Sequence, residues 1–208
     1  VIRVRRHYEK NSYPEMAYDS NETNHFPNTT IYNTLSSTYN WTNYSHTVNF
    51  KMHLGTSSSP DSLTSSGWYT TERGTTPGDT AANSYNNSVS FIGSVGLIYP
   101  SDYGYAVLAS DCARTEKTFN YDESALCHMN NWLYQGDYSR QWLISPSDSD
   151  ADIASFVQGY GYVVGGTSSY VSESRVTEFM DCFPVMALSK DVLVSGSGTK
   201  TDPYMLVN

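Results

Sequence analysis

Between residues 47 and 54 the apolar side chains fall on every second position, with Val48, Phe50, Met52 and Leu54 separated by Asn49, Lys51 and His53. Successive side chains of an extended chain point to opposite faces, so this period predicts a strand with one face on a core. The pattern returns at Val89, Phe91, Val95 and Leu97, with Ser88, Ser90 and Ser94 between them. It predicts a second strand running into the Pro-bounded turn Tyr99-Pro100-Ser101-Asp102, behind which Gly104, between Tyr103 and Tyr105, lets another backbone come close. The spacing changes over 111–134, where Ala125, Leu126, Met129, Trp132 and Leu133 recur at helical intervals behind Asp122, Glu123 and Ser124. The expectation is a short helix whose apolar stripe packs on the sheet.

Short apolar runs at 142–144, 153–157, 160–164, 183–188, 192–194 and 204–207, set apart by turn residues, predict late strands. Many short strands with one or two short helices make the expected class α+β, mostly antiparallel β. No internal repeat interrupts this order. Residues 1–45 are polar and weakly periodic and read as an irregular N-terminal arm with at most one short strand. Tyr8, Tyr13, Tyr18, Phe26, Ile31, Tyr32, Leu35 and Trp41 offer anchors to pack it on a single domain spanning 46–208. The stretches 55–66 and 74–87 read as polar loops.

A chain of 208 residues suits one well-buried domain, and 38% apolar residues with 18 Tyr leave much neutral polar and phenolic surface, as extracellular binding proteins do. Twelve Lys and Arg against 21 Asp and Glu give a net charge of −9, a field that repels nucleic acid and anionic membranes. The one basic cluster, Arg3, Arg5 and Arg6, reads as a solvated or boundary segment. No run approaches the roughly 20 apolar residues that span a bilayer. No signal-type apolar segment opens the chain, and a start at Val1 suggests a processed product or an excised part of something longer.

Catalysis needs convergent acids, bases or nucleophiles, and His7, His25, His46, His53 and His128 are scattered. No nucleophile elbow, zinc-protease helix or phosphate loop accompanies them. Gly159-Tyr160-Gly161 lacks the third glycine of a dinucleotide fingerprint. Asp148, Asp150 and Asp152 alternate like the opening of a calcium loop without its glycine and closing glutamate, and read as a solvated acidic turn. Neither a metal nor another cofactor is expected. Asn21, Asn28, Asn40, Asn43 and Asn86 begin Asn-x-Ser/Thr sequences that this composition supplies by chance. Three cysteines allow a disulfide with one thiol left over, or three reduced buried thiols, and no paired spacing suggests zinc. The candidate binding face is late. Tyr134, Asp137, Tyr138 and Arg140 share one loop, while Tyr160, Tyr162, Tyr170, Ser172, Glu173 and Arg175 surround another. Tyr gives contact area at low entropic cost and Ser and Arg give adaptable polar anchors, although any one tyrosine reads equally well as an edge or core residue with a satisfied hydroxyl.

Four segments in order also carry a resemblance: Trp68 to Gly74, Gly96 to Ala106, Asn130 to Tyr134 with Gln141 to Pro146, and Phe183 to Leu188 leading to Gly196-Ser197-Gly198-Thr199 and Asp202-Pro203-Tyr204. They resemble a domain of surface proteins of gut-dwelling Gram-positive bacteria and some phages, often found behind a prepilin-type helix, for which no activity is established. The order of strand, helix and late strands is similar to the C-type-lectin-like fold. One departure is Phe183 before Pro184, where the resembling proteins usually carry Arg. Formylglycine-generating relatives use a cysteine pair that the lone Cys182 does not supply. The resemblance implies a disulfide between Cys112 and Cys127, an extracellular or virion-surface location, and a non-catalytic binding or display role toward a protein or glycan. The other implied roles are a pilin-type filament subunit contacting neighbouring subunits and a phage receptor-binding or decoration protein.

Overall fold

The structure, a computed structural model, describes residues 2–5, 14–38, 46–78, 88–123, 125–136, 139–165, 175–197, 202 and 205–206. In chain order these form β1 (Ile2–Arg5), β2 (Glu15–Ala17), α1 (Thr30–Thr38), β3 (Thr47–Val48), β4 (Phe50–His53), α2 (Ser65–Glu72), β5 (Ser90–Gly93), α3 (Pro100–Tyr105) and α4 (Ala125–Met129). The late strands follow as β6 (Gln141–Pro146), β7 (Ala154–Val157), β8 (Val163–Val164), β9 (Phe179–Asp181), β10 (Val185–Leu188), β11 (Val194–Ser195) and β12 (Met205–Leu206). The class is α+β with mostly antiparallel sheets, and among the described residues four short α-helices stand where one or two were expected.

The largest sheet has the order β2-β9-β6-β7-β8, antiparallel except where β6 meets β9 at Gln141 and Asp181. Its middle strand β6 is buried along its whole length. Trp142 there touches Tyr18 and Phe156 with ring centroids 5.3 and 6.1 Å apart, and its indole N–H donates to Met16 O at 2.9 Å. A second sheet, β1-β10-β3, is tied to the segment that follows β5 through paired bonds between Gly96 and Val185, both 2.8 Å. β4 and β5 pair antiparallel, and β4 buries Phe50 and Met52 while Lys51 faces solvent, as its period requires.

Two expectations change. Residues 14–38 are more ordered than an irregular arm, because buried Asp19 accepts from Thr30 N at 2.7 Å and Thr30 Oγ1 at 2.8 Å. That cap starts α1, which drives Ile31 and Leu35 into the core beside Tyr18 and Phe26. Arg3 and Arg5 are not merely solvated. Arg3 forks onto Asp102 at 2.6 and 2.8 Å, and the Arg5 guanidinium lies 4.3 Å from the centre of the buried Phe183 ring, so both pin β1 in place. Tyr8, Tyr13, Arg6 and Trp41 lie outside the described residues.

Candidate functional site

Two clusters concentrate unusual chemistry. The first is the joint between α2 and α3. Thr64 caps α2 by accepting from Gly67 N at 3.2 Å, and Trp68 locks the helix through an indole N–H donated to Thr118 Oγ1 at 2.9 Å. This places Glu72, wholly buried, at the first turn of α3, where its carboxylate accepts from Ser101 N at 2.8 Å, from the Ser101 hydroxyl and from Arg73 Nη1 at 2.8 Å. Burial pushes its pKa up to about 7 against the opposing pull of those donors. Arg73 stacks 3.7 Å from the Tyr69 ring centre and 5.2 Å from that of Tyr99, whose other cation neighbour is Arg3 at 5.0 Å. The Tyr99 hydroxyl accepts from His53 N at 2.7 Å, and burial pushes its pKa up to about 12. A buried carboxylate with a shifted pKa is a functional candidate on chemistry alone. Here its partners are internal and a substrate has no access, so the cluster's work is to fasten β1, β4, α2 and α3 together.

The second cluster is open to solvent. Asp122, His128 and Met129 form one wall of a depression of about 410 Å³, and Tyr134, Tyr160 and the backbone of Gly136 and Gly159 form the other. α4 is held there by covalent and polar links. The disulfide Cys112–Cys127 fixes its buried side to the preceding loop. His128 Nδ1 sits 2.9 Å from Tyr121 O, and since a carbonyl only accepts, Nδ1 carries a proton and, in the neutral ring, Nε2 is left as an acceptor. Asn131 Nδ2 donates to Tyr103 O at 2.8 Å, and Trp132 N donates to Ala106 O at 3.0 Å. The facing hairpin turn is possible because Gly161 has φ +86°. A Cβ on it would come within 2.5 Å of His128 Cβ. The two-glycine step of the sequence therefore serves close packing.

With these links in place most of the predicted apolar stripe stays unburied. Leu126 is 57% exposed, Met129 71% and Trp132 68%, which reverses the expectation of a core stripe for these three, whereas Leu133 packs against the core, and Leu108 beside the disulfide is 68% exposed. Among the described residues, such an outward apolar group next to an aromatic depression is the strongest sign of a contact surface.

The sequence-predicted binding residues divide. Tyr134 and Tyr160 come together at the depression, Tyr134 half-buried with its hydroxyl donating to Gly159 O at 2.7 Å and Tyr160 with its ring outward. Tyr162 lies in the core against Phe119, ring centroids 5.4 Å apart. Arg140 is 4.0 Å from Glu178, and Arg175 pairs with Asp152, so the acidic turn carries an ion pair. Asp137, Tyr138, Tyr170, Ser172 and Glu173 lie outside the described residues. Asp122, His128 and Met129 were missed. Their signal was the outward turn of α4, invisible in a periodicity that fits either face.

Among the described residues no group of three or more His, Cys, Asp or Glu could hold a metal ion, and no helix is long and apolar enough to cross a membrane. Cys182 is buried as a free thiol whose pKa burial pushes up. The buried disulfide is compatible with an extracellular protein. Comparison with family models, with curated proteins and with solved structures finds no match to this chain in any of the three.

Proposed function

We propose that this chain is a non-catalytic extracellular binding or display domain of a bacterial surface or pilus-like protein, with a C-type-lectin-like arrangement of its strands. Its ligand, a protein or a glycan, sits at the depression between α4 and the β7–β8 turn. The observation that carries the reading is the outward side of α4 and of the turn after it, where Leu126, Met129 and Trp132 face solvent and Met129 shares the depression with Tyr160. The disulfide supports it by keeping the face rigid without the apolar stripe, as a recognition surface requires. The order of strands, helices and late strands supports the fold reading.

A second reading has its own observation. Leu108, Leu126, Met129 and Trp132 together offer more apolar surface than a small ligand covers, which suits contact with a neighbouring subunit in a filament. Arrays of glycans and of host-surface proteins, probed with wild-type protein and with Tyr160→Ser and Trp132→Ser, separate the two. Capture that both exposed substitutions weaken supports recognition at this face. No capture, together with concentration-dependent assembly in sedimentation that Trp132→Ser abolishes, transfers the face to subunit contacts.

A further inference from the structure

The walls of the depression differ from those of an ordinary polar cleft. Among the described residues that line it the only formal charge is the Asp122 carboxylate, and neither Lys nor Arg is among them. One Asp122 oxygen accepts from Glu123 N at 3.0 Å, and the side chain is otherwise exposed to the opening. His128 presents Nε2 as an acceptor because Nδ1 donates to Tyr121 O. Met129 contributes a polarisable thioether. Tyr160 contributes an outward ring and Tyr134 a ring that also meets His128 at right angles, centroids 5.6 Å apart, and the Tyr134 hydroxyl proton is already given to Gly159 O. The described wall is rich in acceptors and aromatic surface and poor in donors, on a chain of net charge −9.

Each ligand class meets this wall differently. An anion finds no cation among the described lining side chains and faces a repulsive field. A small hard cation finds one carboxylate among the described lining residues where it requires several oxygens. A neutral polyol needs donors as well as acceptors to satisfy its hydroxyls. A ligand with a positive, weakly hydrated surface is complementary to the carboxylate, the lone pair, the sulfur and the rings at once.

We propose, resting on the recognition reading above, that the depression binds a methylated ammonium group, quaternary or nearly so. The group lies against the Tyr160 and Tyr134 rings with its charge toward Asp122, and the opening leaves room for the rest of the molecule to continue into solvent. The shared chemistry can arrive as a free choline-like molecule or as choline esterified to a phosphate.

The test uses the whole chain with labelled Met and Tyr, so that the Met129 methyl and the Tyr160 ring report directly. Choline, phosphocholine, glucose and 3,3-dimethylbutan-1-ol are titrated in turn, the last having the shape of choline with carbon in place of the charged nitrogen. Choline is expected to shift Met129 and Tyr160 and to bind about tenfold more tightly than its carbon isostere. Asp122→Asn should weaken choline several-fold and leave the isostere unchanged. Tyr160→Leu, which keeps apolar area and removes the π face, should also weaken choline. Both positions are exposed, so folding is retained and is checked by the unshifted core resonances. Phosphocholine binding as choline does assigns the esterified source as competent, and its exclusion assigns the free one. Equal binding of choline and isostere, a shift by glucose at the same residues, or no shift with choline overturns the proposal. The first two leave the recognition reading standing, and that reading fails only in the array experiment, whose ligands are scored without regard to charge.

Discussion

Replacing Glu72 by Gln isolates a fully buried carboxylate that titrates near neutrality. In the folded chain its pKa stands at about 7 against the ordinary 4.5, because burial outweighs the Ser101 and Arg73 donors. The folded state thus holds this proton more tightly than the unfolded one. The stability it contributes is fully present below pH 4.5 and is lost as the pH rises through 7. That separation corresponds to about 3 kcal/mol, at about 1.4 kcal/mol per pH unit. Gln mimics the protonated acid, since it still accepts from Ser101 N and its amide can donate to the Ser101 hydroxyl. It gives up the Arg73 bond, a constant cost of about 1 kcal/mol. Urea unfolding of both proteins from pH 4.5 to 8 measures the difference directly. Asp181, whose pKa burial and Glu15 raise to about 6, has the same sign as Glu72. His25 and His53, which burial lowers, have the opposite sign and lose stability as the pH falls. All three are common to both proteins and drop out of the difference. The stability of wild type relative to Glu72→Gln should fall by about 3 kcal/mol across that range. A flat difference, or one that rises with pH, refutes the reasoning and means that Arg73 and Ser101 outweigh burial.

Gly161→Ala forces a Cβ into His128 at a φ of +86°, so it should destabilise by about 2 kcal/mol or more in chemical denaturation and shift the Tyr134 and His128 ring resonances together. Reducing Cys112–Cys127, which closes a loop with a sequence separation of 15, should cost about 3 kcal/mol, measured with and without reductant or with the double serine variant. Ser145 and Ser155 bury hydroxyls without a hydrogen-bond partner in β6 and β7. Ser145→Ala and Ser155→Ala should therefore be neutral or stabilising by about 1 kcal/mol in thermal unfolding, whereas a loss comparable to that of a core truncation would mean that the hydroxyls are satisfied.

What the sequence makes legible follows the range of the forces involved. β4 is readable because only one of its faces is buried, so Phe50, Met52 and Lys51 record the sheet directly. β6, buried on both faces, still shows as the apolar run at Trp142, Leu143 and Ile144. α1 does not show, because its cap comes from Asp19, eleven residues before Thr30. α2 is built from Ser, Thr and Gly around a single tryptophan, and it holds through Thr118 and Ser101, partners far along the chain. Local propensity gave no notice of either helix, since tertiary hydrogen bonds supply what propensity lacks. β9 is three residues long and owes its place to pairing with β2 and β6, which no local pattern encodes.

The site was half legible for a related reason. Tyr composition and loop position picked out Tyr134 and Tyr160, but Tyr162, two residues further on, faces the core, because the left-handed turn at Gly161 lies between them. The stripe Leu126, Met129 and Trp132 gave the period of a helix and could not give the face that is buried. Burying a stripe is how a short helix ordinarily stays attached. α4 stays attached by the Cys112 link, the His128 and Asn131 bonds and the space that Gly161 leaves, so its apolar residues are released from that work. Once a covalent bond and three polar contacts hold a helix, large exposed apolar groups on it have no structural duty left to explain them. Their exposure then points outward, to whatever the Asp122, His128 and Tyr160 wall is built to meet.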